Sequence, residues 1–129
     1  TRGVNISSML LKPNMVLPGE DAATQVSDEE MAKQTVDMLR DVAPPSVPGI
    51  VFLSGGQSPQ DATRRLAVMN TLFGDAVPWQ LSFSFGRALQ APVLEAWKGK
   101  AENVVVAQAA LLKQAAQASA ARYGSAEYA

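Results

Sequence analysis

The chain has 129 residues, 47% of them hydrophobic, with a formal net charge of −1; that suffices for one domain around one core and leaves no basic excess for binding nucleic acid. With no cysteine, disulfides and thiolate chemistry are excluded, and a reducing, cytoplasmic compartment fits. With no histidine, a metal site would rest on carboxylates alone, and acid–base chemistry falls to Lys, Tyr, Asp or Glu.

The chain starts at Thr1, which leads us to expect a piece of a longer product. No signal sequence of basic then apolar residues opens it, and no apolar run approaches the ~18 residues of a membrane span. The first predicted strand is "NISSMLLK", Asn5 to Lys12. It is a short apolar run that suits a parallel strand covered on both sides. The connector "PGEDAAT" follows, and Ser27 with Glu30 forms a capping box before a helix carrying Met31, Met38, Leu39 and Val42 at helical period. Asp28, Glu29 and Glu30 read as its solvated first turn, favoured by the helix dipole.

After the proline-rich "APPSVPG", the second strand is "GIVFLS", Gly49 to Ser54. Ser58 and Pro59 start the next helix, with Ala62, Leu66, Met69 and Phe73 on one stripe and Gly74 placed to end it. Arg64 and Arg65 read as an exposed face of this helix. The third strand is "WQLSFSF", Trp79 to Phe85, and "ALQAPVLEAW" is helical, with Pro92 tolerable in a first turn or at a kink. An Ala-rich helix runs to about Gly124. Trp79 and Trp97 read as packing residues, and Tyr123 and Tyr128 as part of a loosely held end.

Strand and helix alternate, which implies a parallel sheet with right-handed crossovers. The strand ends are 42 residues apart from Lys12 to Ser54 and 33 from Ser54 to Arg87. A (β/α)8 barrel of ~250 residues averages about 31 per unit. Three units cannot close a barrel. Ligands of parallel α/β folds sit at the carboxyl ends of strands, so Lys12, Ser54-Gly55-Gly56 and Ser84-Phe85-Gly86-Arg87 should converge.

Each of these has two readings. Lys12 is either an amine whose proton is destabilised by an apolar pocket, able to attack a carbonyl, or a lysine whose stem runs past apolar surface to water. "SGGQS" either cradles an anion with backbone N–H groups beside a helix start or only makes a tight turn; it matches neither phosphate-loop nor dinucleotide fingerprints. Arg87 either grips phosphate in a bidentate way, with Gly86 as a backbone donor, or serves a surface ion pair. A glycine loop and an arginine after two successive strands resemble the phosphate site that barrels build after their last two strands.

The strings "LLKPNMV" (Leu10–Val16), "VPGIVFLSGGQS" (Val47–Ser58) and "PWQLSFSFGRALQAP…AWKGK" (Pro78–Lys100) resemble class I fructose-bisphosphate aldolase, nearly throughout the chain and in order. The resemblance implies the sixth, seventh and eighth units of a (β/α)8 TIM barrel plus its C-terminal helix, so that residues 1–129 are part of one domain. It implies reversible cleavage of fructose 1,6-bisphosphate to dihydroxyacetone phosphate and glyceraldehyde 3-phosphate in glycolysis and gluconeogenesis. Lys12 would form the Schiff base, Ser54, Gly55, Gly86 and Arg87 would hold the phosphate on carbon 1, and Ser84 would lie nearby. No cofactor or metal would be needed, and the remaining strands would come from the same or another chain, within a homotetramer.

The resemblance has departures. The family's acid–base carboxylates and other active-site lysines belong to earlier strands. "ISSM" replaces a Leu-Glu-Gly-Thr-like run before the lysine, and the C-terminal tail is short, with Tyr128 standing near the position of a family tyrosine. The open alternatives are a catalytically incomplete structural or interaction piece, whose bare edges invite pairing, and another lysine-dependent aldolase such as a transaldolase.

Overall fold

The computed structural model describes residues 2–125. Three parallel strands, β1 (Leu10–Leu11), β2 (Gly49–Phe52) and β3 (Gln80–Phe83), pair in that order. The helix α1 (Asp28–Val42) follows β1, α2 (Pro59–Phe73) follows β2 and α3 (Arg87–Trp97) follows β3; α4 (Val104–Ala121) comes last. This is the alternation expected from sequence.

The helix starts obey local chemistry. Ser27 Oγ accepts the Glu30 N–H at 3.2 Å, which is half of the expected capping box; the Glu30 carboxylate accepts from Gln34 instead. Ser58 Oγ accepts the Asp61 N–H at 3.0 Å, with Pro59 in the first turn. Gly74 ends α2 as expected, although its φ of −53° is right-handed and leads into a 3-10 turn, Gly74–Ala76. Pro92 sits inside α3 rather than in its first turn, and it has no N–H for the Ala88 carbonyl.

The first strand is much shorter than the expected Asn5–Lys12. Ile6–Ser8 form a 3-10 turn, whose cap Asn5 accepts the Ser7 N–H and donates to Ser8 Oγ at 3.1 Å. An asparagine side chain can satisfy local backbone groups in this way and so compete with a ladder. β1 also has a partner on one side only. The second and third strands are trimmed to Gly49–Phe52 and Gln80–Phe83.

The sheet has one packed face. Ile50 and Phe52 of β2 and Leu81 of β3 are buried against Val36 and Leu39 of α1 and Leu66 and Met69 of α2. Fully burying side chains of this size stabilises by about 1.5–3 kcal/mol each. Thr35 links the first loop to α1: its Oγ1 donates to the Met31 carbonyl at 2.7 Å and accepts the Val16 N–H at 2.9 Å. Asn70 Nδ2 reaches the carbonyls of Leu81 and Ala121, tying α2 to β3 and α4. Trp79 is buried and donates to the Pro44 carbonyl. Trp97, read from sequence as packing, is 41% exposed.

The opposite face is bare. Side chains alternate along a strand, so Leu10, Val51 and Ser82 point away from the helices, and Leu10 is 59% exposed. Among the described residues, no helix is long and apolar enough to cross a membrane.

Candidate active site

The strand ladder fixes where the candidate residues stand. Leu11 is level with Ile50, and Ile50 with Leu81. The Leu53 N–H donates to the Pro13 carbonyl at 3.0 Å, so the register continues past β1 and sets Lys12 beside Val51. By alternation Lys12 belongs to the bare face, together with Val51 and Ser82. Its side chain is exposed. The dry surroundings expected around this amine are therefore not made by this chain's own residues.

Ser54 lies two residues beyond β2 and is buried. Its Oγ accepts the Ala88 N–H from the first turn of α3 at 3.4 Å, and its carbonyl accepts the Gln57 N–H at 3.3 Å. The first contact ties the glycine loop to α3, and the second closes a turn within the loop. Gly56 has φ +75°, a conformation that costs a residue with a Cβ about 1–2 kcal/mol. A glycine there is a geometric requirement of the turn. Gly55 is different: its φ lies outside the left-handed region, and a Cβ on it would stand 4.0 Å from Arg87 Nη2. A side chain at Gly55 would encroach on the space beside the guanidinium.

Arg87 is the first residue of α3, as expected, and Gly86 is its N-cap, with a carbonyl that accepts from Leu89 and Gln90. Among the described residues, the N–H groups of Gly55 and Gly86 donate to no backbone or side-chain acceptor. Ser84 follows β3, and its N–H donates to the Phe52 carbonyl at 2.8 Å.

One open cavity of about 720 Å³ collects the central candidates: Ser54, Gly55, Gly56 and Arg87 line it. Its volume is within the range of small-molecule sites. Lys12, Ser84 and Gly86 do not line it. They stand at the same end of the sheet, since all three strands run parallel. Asn14, Leu17 and Gln57 also line it, although none was singled out from sequence as a site residue. Asn14 follows the Lys12-Pro13 pair and its Oδ1 accepts the Met15 N–H, the Asx habit that makes asparagine a loop former. Glu20 also lines the rim and sets a negative charge against any anion there. Tyr128 lies outside the described residues, and Tyr123 is exposed next to Arg122, which lies over its ring.

The acidic turn and the arginine pair depart from the simple surface roles expected of them. Asp28 receives Arg64 Nε on one oxygen and Arg65 Nε, at 3.1 Å, on the other. The side chains of Asp28 and Arg65 are each only 16% exposed. Burial alone would raise the Asp28 carboxyl, but the hydrogen bonds and charges of the two guanidinium groups outweigh it and hold the pKa below the usual value. Asp61 is also lowered, first by its hydrogen bond from Ser58 and further by Arg64. α1 and α2 are thus joined by a partly buried ion network, which a one-dimensional reading of "DEE" and "RR" does not reveal.

Comparison with known proteins places this geometry. A family model described as "Glycolytic: Fructose-bisphosphate aldolase class-I" matches residues 1–129. The chain is 56% identical over 110 residues to cytosolic fructose-bisphosphate aldolase 5 of Arabidopsis thaliana, covering 84% of this chain and 30% of that protein. It is 52% identical over 124 residues to fructose-bisphosphate aldolase of Schistosoma mansoni, covering 96% and 34%. It superposes on the Plasmodium falciparum aldolase, solved in complex with TRAP and a small-molecule inhibitor, with a TM-score of 0.88 and 46% identity, over 93% of this chain and 34% of that one. The chain thus spans about a third of the length of the relatives it matches, and its three strands and four helices are a partial (β/α)8 barrel. It belongs to the class I fructose-bisphosphate aldolase family.

Proposed function

We propose that this chain supplies the Schiff-base lysine and one phosphate cradle of a class I fructose-bisphosphate aldolase. Lys12 is the nucleophile. Its neutral amine attacks the ketone carbon of fructose 1,6-bisphosphate, water leaves, and the protonated imine draws electrons from the carbon–carbon bond as it breaks. Glyceraldehyde 3-phosphate departs; protonation of the enamine and hydrolysis of the imine then release dihydroxyacetone phosphate and restore the amine. The acid–base carboxylates for these steps belong to the remaining strands of the barrel, from the same or another chain. Covering the bare sheet face with those strands would exclude water around Lys12 and lower its proton affinity.

Ser54, Gly55, Gly86 and Arg87 hold the phosphate on carbon 1, with Ser84 at the edge of the site. The guanidinium and the free Gly55 and Gly86 N–H groups are suited to phosphate oxygens. Binding the phosphate fixes the ketone relative to the amine, which converts binding into orientation. The imine is itself the electron sink, so the chemistry calls for no metal or cofactor. Residues 1–129 form part of one domain, which we assign to a cytoplasmic, homotetrameric enzyme of glycolysis and gluconeogenesis; the cytosolic name of the Arabidopsis relative supports the compartment.

The observation that carries this reading is the convergence of Ser54, Gly55 and Arg87 on one cavity at the end of the sheet where Lys12 stands. Borohydride reduction of the intact protein in the presence of fructose 1,6-bisphosphate, followed by peptide mass mapping, tests it. The expected adduct is on Lys12. An adduct elsewhere, or none, removes the assignment.

A further inference from the structure

Gln57 connects the cradle to the ion network. It lies between Gly56, held at φ +75°, and Ser58, the cap of α2, and it lines the cavity. Its Oε1 accepts Arg65 Nη1 at 3.0 Å, and Arg65 Nε donates to Asp28 Oδ1 at 3.1 Å. A guanidinium only donates. Gln57 must therefore turn its carbonyl oxygen to Arg65, which fixes the orientation of the whole amide. The other end of that amide, Nε2, is buried without a hydrogen-bond partner among the described residues. Burial of an unpaired donor disfavours this placement of the side chain, so the bond from Arg65 is what holds it. Arg65 is itself held. It is 16% exposed, in contrast to Lys33 at 59% and Lys100 at 61% in the surface pairs. Its place on α2 is set by Asp28, from a different βα unit.

We propose that Arg65 is a positioning residue for the phosphate loop, acting through Gln57 and set by Asp28. The relay determines how Gly55 and Ser54 present themselves to the phosphate, and it couples the cradle to the start of α1. It rests on the assignment of the cradle as a phosphate site. It predicts that Arg65 affects phosphate binding without touching the phosphate.

The test uses the intact protein and inorganic phosphate as probe, measured by calorimetry, together with KM and kcat for fructose 1,6-bisphosphate and the thermal midpoint. Arg65→Met and Gln57→Ala are each expected to weaken phosphate binding and raise KM about tenfold, with kcat changed less than twofold. Because Arg65 acts through Gln57, the double variant is expected to match the single ones, and Arg65→Lys to recover part of the loss. Arg64→Met is the stability control: it breaks the other half of the Asp28 pair and is expected to lower the midpoint while leaving KM unchanged. Gln57→Ala alone, at a loop position, keeps the test decisive if Arg65→Met does not fold. A lowered midpoint with unchanged phosphate affinity in both single variants, or additive losses in the double variant, would overturn the relay. Phosphate binding without turnover in the parent protein refutes the aldolase assignment while leaving the relay to stand on the binding data. Failure of the parent to bind phosphate overturns both.

Discussion

Gly55→Ala separates the cradle from the fold. The added Cβ would meet Leu53 Cδ1 at 3.1 Å, the end of a flexible side chain that can move by a few tenths of an ångström. Alanine is allowed at this φ and reduces unfolded-state entropy, while the tight contact opposes it, so the net stability change should stay within about 1 kcal/mol. In the thermal midpoint that is a shift of about 4 °C or less. The same methyl stands 4.0 Å from Arg87 Nη2. A phosphate oxygen bonded to that nitrogen at about 2.7–2.9 Å competes for this gap. Losing one charge-assisted bond of about 1.5–3 kcal/mol raises KM by about 10- to 100-fold, at ~1.4 kcal/mol per decade.

Steady-state kinetics with fructose 1,6-bisphosphate, paired with thermal unfolding, reads both effects. Gly56→Ala is the counterpart. At φ +75° it strains the backbone by about 1–2 kcal/mol, so its midpoint should fall further than that of Gly55→Ala. A Gly55→Ala protein with KM within twofold of the parent would refute the placement of the anion between Gly55 and Arg87. Equal losses of stability in the two variants would refute the distinction drawn between them.

Arg87→Ala should raise KM by about 10- to 100-fold through the same bonds, and Arg87→Lys should recover only part, since an ammonium cannot bind phosphate in a bidentate way; kinetics on the two variants checks this. Asp28 and Asp61 have lowered folded-state pKa values. The stability they contribute is therefore present above their unfolded pKa of about 3.9 and is lost as pH falls through the lowered folded values. Unfolding midpoints of the Asp28→Asn, Asp61→Asn protein should be lower at neutral pH and flatter between about pH 5 and 3 than those of the parent.

The chain order of strands and helices was legible because apolar runs, caps and a stop glycine agree locally: Ser27, Ser58 and Gly74 each stand where sequence put them. The extent of β1 was not legible, since Asn5 offers the backbone a local alternative that a count of apolar residues cannot weigh. Ser54, Gly55 and Arg87 could be found because parallel topology collects strand ends. Gln57 and the arginine pair could not: their roles depend on Asp28, 37 residues before Arg65 in the chain, being brought against α2. Lys12 shows a different limit. The ladder that pairs Leu11 with Ile50 sets Lys12 beside Val51, and its side chain is exposed on the bare face of the three described strands.

A crystal structure of the intact protein after borohydride trapping with dihydroxyacetone phosphate tests the central assignment most directly. We expect continuous density from Lys12 Nζ to the second carbon of the ligand, with the phosphate in hydrogen-bond contact with Arg87 and the Gly55 N–H. A ligand bonded to another lysine, or a phosphate seated away from the Ser54–Arg87 cavity, would contradict it.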